Sequence, residues 1–255
     1  MQLTLWQVVV MAIVFTAIGF LVLLLSRVLR CEPVAPSIAN PRRSMALALI
    51  AAGVSMGGAY LLLVAHRAIL GPTPPTGPRQ HGLIDLVPQL IGLAIYAGPA
   101  GVFMWRYREN LRSVGIGTQN LWQSLVIGTG LALSAFFFKS GGFAGKIASV
   151  QLLAVARFAF VGFEEEFLFR GYLQNRLVAV MGRWRGWVCA SVIFALWHFP
   201  RRWLIDGMGL GVAAAASLAL IPAGLLLGFV MLRTGNLVAP ALFHTFINVT
   251  SELGP

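Results

Sequence analysis

The chain has 255 residues, of which 58% are hydrophobic and only 11% charged, with a mean hydropathy of +0.82. Soluble domains carry about 25% charged residues, so a deficit spread over the whole length excludes an ordinary soluble enzyme and points to a polytopic membrane protein. The net charge of +11 comes from 19 Lys plus Arg against 8 Asp plus Glu. These basic residues lie mostly in short loops between apolar runs, with no basic stripe interleaved with aromatics. Topology and contact with anionic lipid account for them, and no nucleic-acid partner is expected.

Two cysteines, Cys31 in a basic loop and Cys189 in an apolar run, are too few for a disulfide framework or a Cys-based metal site. A hydrocarbon core of about 30 Å takes about 20 apolar residues per spanning helix. The expected architecture is an all-α polytopic membrane helix bundle with about eight transmembrane helices, forming a single membrane-embedded domain over residues 1–255.

In chain order, the first span is expected over Leu5 to Leu29. Residues 3–29 are expected to stay as an anchor, because nothing basic precedes the run and it is long for a signal peptide. A loop containing Glu32, Pro33, Pro36, Pro41, Arg42 and Arg43 leads into a second span, Ser44 to Leu70. Its Gly53, Gly57 and Gly58 would permit close helix contact. The run from Gly71 to Pro78 holds four prolines and two glycines; it cannot be regular helix and is expected as a stiff exterior loop. A third span, Leu83 to Trp105, contains Pro88 and Pro99.

The fourth span covers Leu121 to Phe138, followed by a loop at Ser140-Gly141-Gly142. The fifth starts near Lys146, carries Glu164-Glu165-Glu166, and continues through Arg170 to about Val180. The sixth is Trp187 to Phe199, stopped by Pro200. The seventh is Leu210 to Leu232, with Pro222 inside it, and the eighth is Leu237 to Val249. No internal repeat of the transporter kind is present.

Loop charges set an orientation. With the loop after the first span in the cytoplasm, Arg27, Arg30, Arg42, Arg43, Arg106, Arg108, Arg112, Arg170, Arg176, Arg183, Arg185 and Arg233 fall on or toward that side. The other side receives Arg67, Arg79, Lys139, Lys146, Arg201 and Arg202. The bias puts both termini outside. A multi-pass protein of a bacterial-type plasma membrane is expected, with any active site toward the cytoplasmic side.

Three polar clusters interrupt the apolar segments, and ionisable groups at membrane depth are costly enough that they mark function. In Glu164-Glu165-Glu166-Phe-Leu-Phe-Arg170, helical spacing puts Glu166 and Arg170 on one face, where they can pair. Glu165 lies about 100° round from Glu166, and mutual repulsion makes it costly to keep all the acids ionised. The second cluster is Phe194-x-x-x-His198, where Phe194 is most simply packing. The third, His244-x-x-x-Asn248, projects two polar side chains from one helix face, an arrangement that can also serve as hydrogen-bonding glue between helices.

Together the clusters supply a carboxylate, two imidazoles and an amide, a set able to activate water and stabilise an oxyanion. No Ser or Cys with an evident base partner suggests a covalent nucleophile, and the His-Glu-x-x-His pattern of zinc peptidases is missing. A zinc site built from His198, His244 and Glu165 is a second reading. A third is non-enzymatic, either a transporter with an intramembrane proton relay or an immunity protein in which the clusters are structural.

Glu-Glu-x-x-x-Arg (Glu165, Glu166, Arg170), Phe-x-x-x-His (Phe194, His198) and His-x-x-x-Asn (His244, Asn248), in this order on successive hydrophobic segments, resemble the CPBP family. These are the CAAX protease and bacteriocin-processing intramembrane endopeptidases, also called the Abi family. The motifs cover roughly Val161 to Asn248, within a catalytic core expected over about residues 147–251; the first four spans resemble the family only in being hydrophobic.

The resemblance implies that Glu165 activates water together with His198. It implies that His244 and Asn248 bind the carbonyl oxygen as it becomes an oxyanion, and that Glu166 and Arg170 hold helix and base in place. Glu164 is an additional acid before the usual pair. The implied activity is cleavage of a peptide bond in a membrane-associated or lipidated chain, by a glutamate-type hydrolase in preference to a metalloprotease. No cofactor is required in this reading, with zinc as the alternative. In the eukaryotic branch the family trims prenylated Cys-a-a-X proteins; bacterial relatives are linked to bacteriocin maturation or self-immunity. The sequence selects no substrate and no oligomeric state.

Overall fold

The computed structural model describes residues 5–32, 34, 38–70, 83–140 and 152–252, and every regular element among them is helical. Helix α1 spans Leu5–Val28, α2 Pro41–Leu70, α3 Val87–Arg106 and α4 Leu121–Ser140. Helix α5, Leu152–Glu166, passes through a π-helical stretch, Phe167–Gln174, into α6, Asn175–Met181. Helix α7 is Arg183–Trp197, α8 Leu210–Leu218, α9 Ile221–Thr234 and α10 Val238–Glu252. The expected loops at Gly71 to Pro78 and at Gly141-Gly142, and the start of the fifth span near Lys146, lie outside the described residues.

Three stretches are long and apolar enough to cross a bilayer: Pro41–Ile69, Val87–Arg106 and Leu210–Thr234; Ile13–Val28 and Leu121–Phe136 are shorter apolar helices. The helices that carry the motifs depart most from uniform spans. Helices α5, α7 and α10 have 15 residues each, short of the roughly 20 that a perpendicular span needs. The seventh expected span is interrupted between α8 and α9, where Pro222 occupies the first turn of α9, a position that suits its fixed φ and missing N–H.

The rod formed by α5, the π stretch and α6 runs through the middle of the bundle. Every residue from Glu164 to Leu177 is buried, with α2, α3, α7, α9 and α10 packed around that rod. Large apolar side chains instead point outward on the peripheral helices, among them Phe20, Leu61, Val102 and Trp122. This inverted dressing suits hydrocarbon as the surrounding solvent. Of the three α2 glycines expected to support close contact, only Gly58 does so: a Cβ there would lie 3.0 Å from Ile95 Cγ2, whereas Gly53 and Gly57 face open space.

The basic end of the bundle is cross-tied. Arg176 is fully buried; it pairs with Glu109, which also accepts from Ser44 Oγ at 2.8 Å, and it reaches Ser113 and the carbonyls of Gly171 and Tyr172. Arg233 Nε donates to Ser26 Oγ at 2.9 Å, and Leu237 N to Gly115 O at 2.9 Å. Arg170 and Arg176 therefore act as internal ion-pair partners. Their inclusion among the orientation-setting loop charges is corrected by their burial at 2% and 0%; the exposed arginines of the same end still carry the bias.

Candidate active site

Helix α10 reaches the central rod because small residues line the seam. A Cβ at Gly162 would lie 2.5 Å from Thr245 Oγ1 and 3.0 Å from Ala241 O, and one at Gly128 would lie 2.9 Å from Ala239 Cα. Helices α4 and α5 thus meet α10 almost backbone to backbone, which sets His244 against the acids at the end of α5. Helix α7 approaches from another side. It ends at His198, whose backbone N–H bonds to Ala195 O.

Three of the expected site residues converge. Glu165 Oε2 lies 3.8 Å from His244 Nε2 and 3.9 Å from His198 Nε2. Both separations exceed a direct hydrogen bond, and that carboxylate oxygen is buried without a hydrogen-bond partner. The imidazoles are fixed from behind. His198 Nδ1 donates to Phe194 O at 2.8 Å, since a carbonyl can only accept. His244 Nδ1 lies 2.7 Å from Glu166 Oε1, and the same oxygen accepts from Arg170 Nη1 at 2.9 Å. With both Nδ1 atoms engaged, both Nε2 atoms turn to Glu165, as second-sphere partners commonly arrange for functional histidines.

Phe194 does more than fill space. The Arg170 guanidinium sits over its ring at 4.0 Å, while the His198 and His244 rings meet it edge-on at centroid distances of 4.8 and 6.5 Å. One aromatic ring therefore spaces three polar side chains of the cluster. Glu164, the extra acid, is buried on the α3 side, where both carboxylate oxygens come within 3.2 Å of a Cβ built on Gly92. Asn248 lies one turn beyond His244 on α10, half-buried. It forms no hydrogen bond with the cluster among the described residues.

Sequence patterns gave no sign of two neighbours. Trp197 packs edge-on against His198 at 5.5 Å and against Phe169 at 5.7 Å, and Tyr96 of α3 contacts it at 4.9 Å. Only position could have flagged Trp197, which sits beside His198 at a helix end. Among the described residues, no group of three or more His, Cys, Asp or Glu side chains is arranged to hold a metal ion.

A helical membrane protein whose central rod presents a buried carboxylate to two back-bonded imidazoles belongs to the membrane-embedded class of site, assembled from distant helices instead of a contiguous loop. Residues 147–250 match the family described as Type II CAAX prenyl endopeptidase Rce1-like, in agreement with the CAAX protease family that the motifs resemble. No curated protein and no solved structure matches the chain.

Proposed function

We propose that the chain is an intramembrane endopeptidase of the CPBP type that hydrolyses a peptide bond in a membrane-associated or lipidated protein or peptide. The observation that carries this reading is Glu165 Oε2, unpartnered and flanked by two imidazole Nε2 atoms at 3.8 and 3.9 Å. Separations of that size between polar atoms suit a bridging water. In the reading, Glu165 and His198 take a proton from water as it attacks the scissile carbonyl. His244 and Asn248 donate to the oxyanion, and the proton then passes to the leaving amine, so that one water adds across the cleaved bond.

Glu166 is a positioning residue. Its carboxylate holds Nδ1–H of His244 and would balance positive charge on that ring as Nε2–H turns to the oxyanion. Arg170 and Phe194 support it from the other side. The zinc reading uses the same atoms, with Glu165 Oε2 and the two Nε2 atoms as ligands; three donors and an open position would suit a catalytic site. The glutamate-type reading is preferred because a carboxylate flanked by imidazoles can itself take the proton from water.

The family match over residues 147–250 and the apolar helices support reading the chain as an integral membrane protein. The end carrying Arg27, Arg42, Arg106 and Arg183 is read as cytoplasmic, in a bacterial-type plasma membrane. The site was expected toward that side. The 15 residues of α7 separate Arg183 from His198, about 22 Å of helix. Side-chain exposure rises from 0% at Glu166 to 20% at His198. Both features favour a site near mid-bilayer, more accessible at its His198 side than from below Glu166.

The test is a comparison of membrane proteomes from cells making the wild-type chain or its Glu165→Gln variant. A membrane-borne protein that keeps its uncleaved form only in the variant is expected. Identical processing in both would overturn the assignment of Glu165 as base.

A further inference from the structure

A cavity of about 520 Å³ lies at the basic end, between Val34, Ile38 and Pro41 at the approach to α2, the α6–α7 turn and the C-terminal end of α9. Its charged rim is Arg112 and Arg183, and its apolar wall includes Val178, Met231 and Leu232. Neither arginine has an acidic partner among the described residues. The nearby carboxylate of Glu109 is committed to Arg176 and Ser44. Among the described residues Arg183 makes one long contact, 3.5 Å, from Nη2 to Leu232 O. Asn175, which also lines the cavity, donates its amide to Ser113 O. Two unpaired guanidiniums above an apolar wall, at the end of the bundle where the loop arginines gather, form an amphipathic receptor.

We propose that this cavity binds an anionic glycerophospholipid, with the phosphate between the Arg112 and Arg183 guanidiniums and the glycerol and upper acyl carbons against Val178, Met231 and Leu232. The chemistry of each part fits. Guanidinium forks match phosphate oxygens in paired hydrogen bonds, and headgroups of this charge lie at the depth where juxtamembrane arginines concentrate. The site is separate from the carboxylate–imidazole cluster, yet it grips the turn at Gly182 that joins the rod bearing Glu165 to the helix bearing His198. A bound lipid would brace that hairpin from its base.

The test uses purified full-length protein in neutral detergent, with bound phosphatidylglycerol counted by native mass spectrometry and binding followed by thermal shift. Phosphatidylcholine, inorganic phosphate and glycerol phosphate are the comparison ligands. Wild type and a charge-matched Arg108→Gln/Arg185→Gln variant should bind phosphatidylglycerol alike, while Arg112→Gln/Arg183→Gln should bind about thirtyfold more weakly. Val178→Trp, which fills the wall and leaves the charge, should also displace the lipid and covers the case in which the double variant fails to fold. Equal weakening in both double variants would assign the effect to diffuse surface charge and overturn the proposal. So would unchanged binding in Val178→Trp, or an equal thermal shift with inorganic or glycerol phosphate, which would mean a soluble-anion site.

Discussion

His244 Nδ1 sits 2.7 Å from Glu166 Oε1, and that oxygen also takes Arg170 Nη1 at 2.9 Å. One carboxylate on the rod thus ties together the helix that carries the acids and the helix that carries the second histidine. Its other oxygen and Arg170 Nη2 are buried without partners, so little redundancy protects the arrangement. Breaking a buried ion pair by removing one member typically costs about 3–5 kcal/mol, because the survivor is left uncompensated. Glu166→Ala is therefore expected to lower the unfolding free energy by about that amount. Arg170→Ala should do the same, and the double change should cost well below the sum. Denaturation in detergent, run as a double-mutant cycle, checks this; additive losses would mean that the two side chains act independently.

Glu165 is expected to behave oppositely. Its Oε2 has no hydrogen bond to lose, so Glu165→Gln should keep the melting temperature of wild type within a few degrees. Cleavage should fall by about 100- to 10,000-fold, the usual share of a positioned base. Measuring both quantities on the same preparation separates the neighbouring acids into one that holds the fold and one that does the chemistry. A Glu165→Gln protein that unfolds as readily as Glu166→Ala would reverse that division.

The acid pair, the two histidines and the pairing of Glu166 with Arg170 were legible in the sequence because helical periodicity ties i to i+4 and because polar groups stand out against apolar runs. The order of the motifs was enough to expect convergence of Glu165, His198 and His244. What periodicity could not carry was lateral geometry. The spacing of Phe194 and His198 puts those two rings on one face, but nothing in it foretold that the Phe194 ring would also meet Arg170 and His244, since those contacts cross helices. The π stretch at Phe167–Gln174 was equally hidden; such insertions depend on how neighbours pack around the rod and leave no compositional mark. Loop-charge counting also misassigned Arg170 and Arg176, because a side chain's charge is the same whether it lies in a loop or is paired inside.

Backbone contact between α5 and α10 makes Gly162 a sensitive position remote from the chemistry. A Cβ there would meet Thr245 Oγ1 at 2.5 Å and Ala241 O at 3.0 Å, and the second neighbour is backbone that cannot swing aside. Gly162→Ala should push α10 away from the rod at a cost of about 1–3 kcal/mol. Because His244 lies on α10, cleavage should fall further than the stability loss alone explains. Thr245→Ala removes the closest obstacle, so the pair Gly162→Ala/Thr245→Ala is expected to recover part of both. Absence of any recovery would place the strain at the α10 backbone, where Ala241 O and Thr245 N both lie 3.0 Å from that Cβ.

Metal dependence separates the two hydrolytic readings. With Glu165 and His198 acting directly on water, extensive treatment with a strong chelator should leave cleavage unchanged, and elemental analysis of active protein should find zinc far below one per chain. The zinc reading demands loss of activity on chelation and its return when about one equivalent is restored, with His198→Ala and His244→Ala each abolishing metal retention. Activity measured against bound zinc in a single titration decides between them.

Asn248 provides the sharpest test of how the site works on a substrate. It stands one helical turn from His244, half-buried and with no hydrogen bond to the cluster, so its removal should cost the resting protein little stability. An oxyanion donor is engaged mainly in the transition state, and losing one typically lowers kcat by about 100- to 1,000-fold. Asn248→Ala is accordingly expected to fold normally and to lose kcat by that factor with KM nearly constant. Asn248→Asp should be no better, because it replaces a donor by an acceptor facing developing negative charge. A rise in KM at constant kcat would instead make Asn248 a substrate-binding contact and leave His244 as the sole donor to the oxyanion.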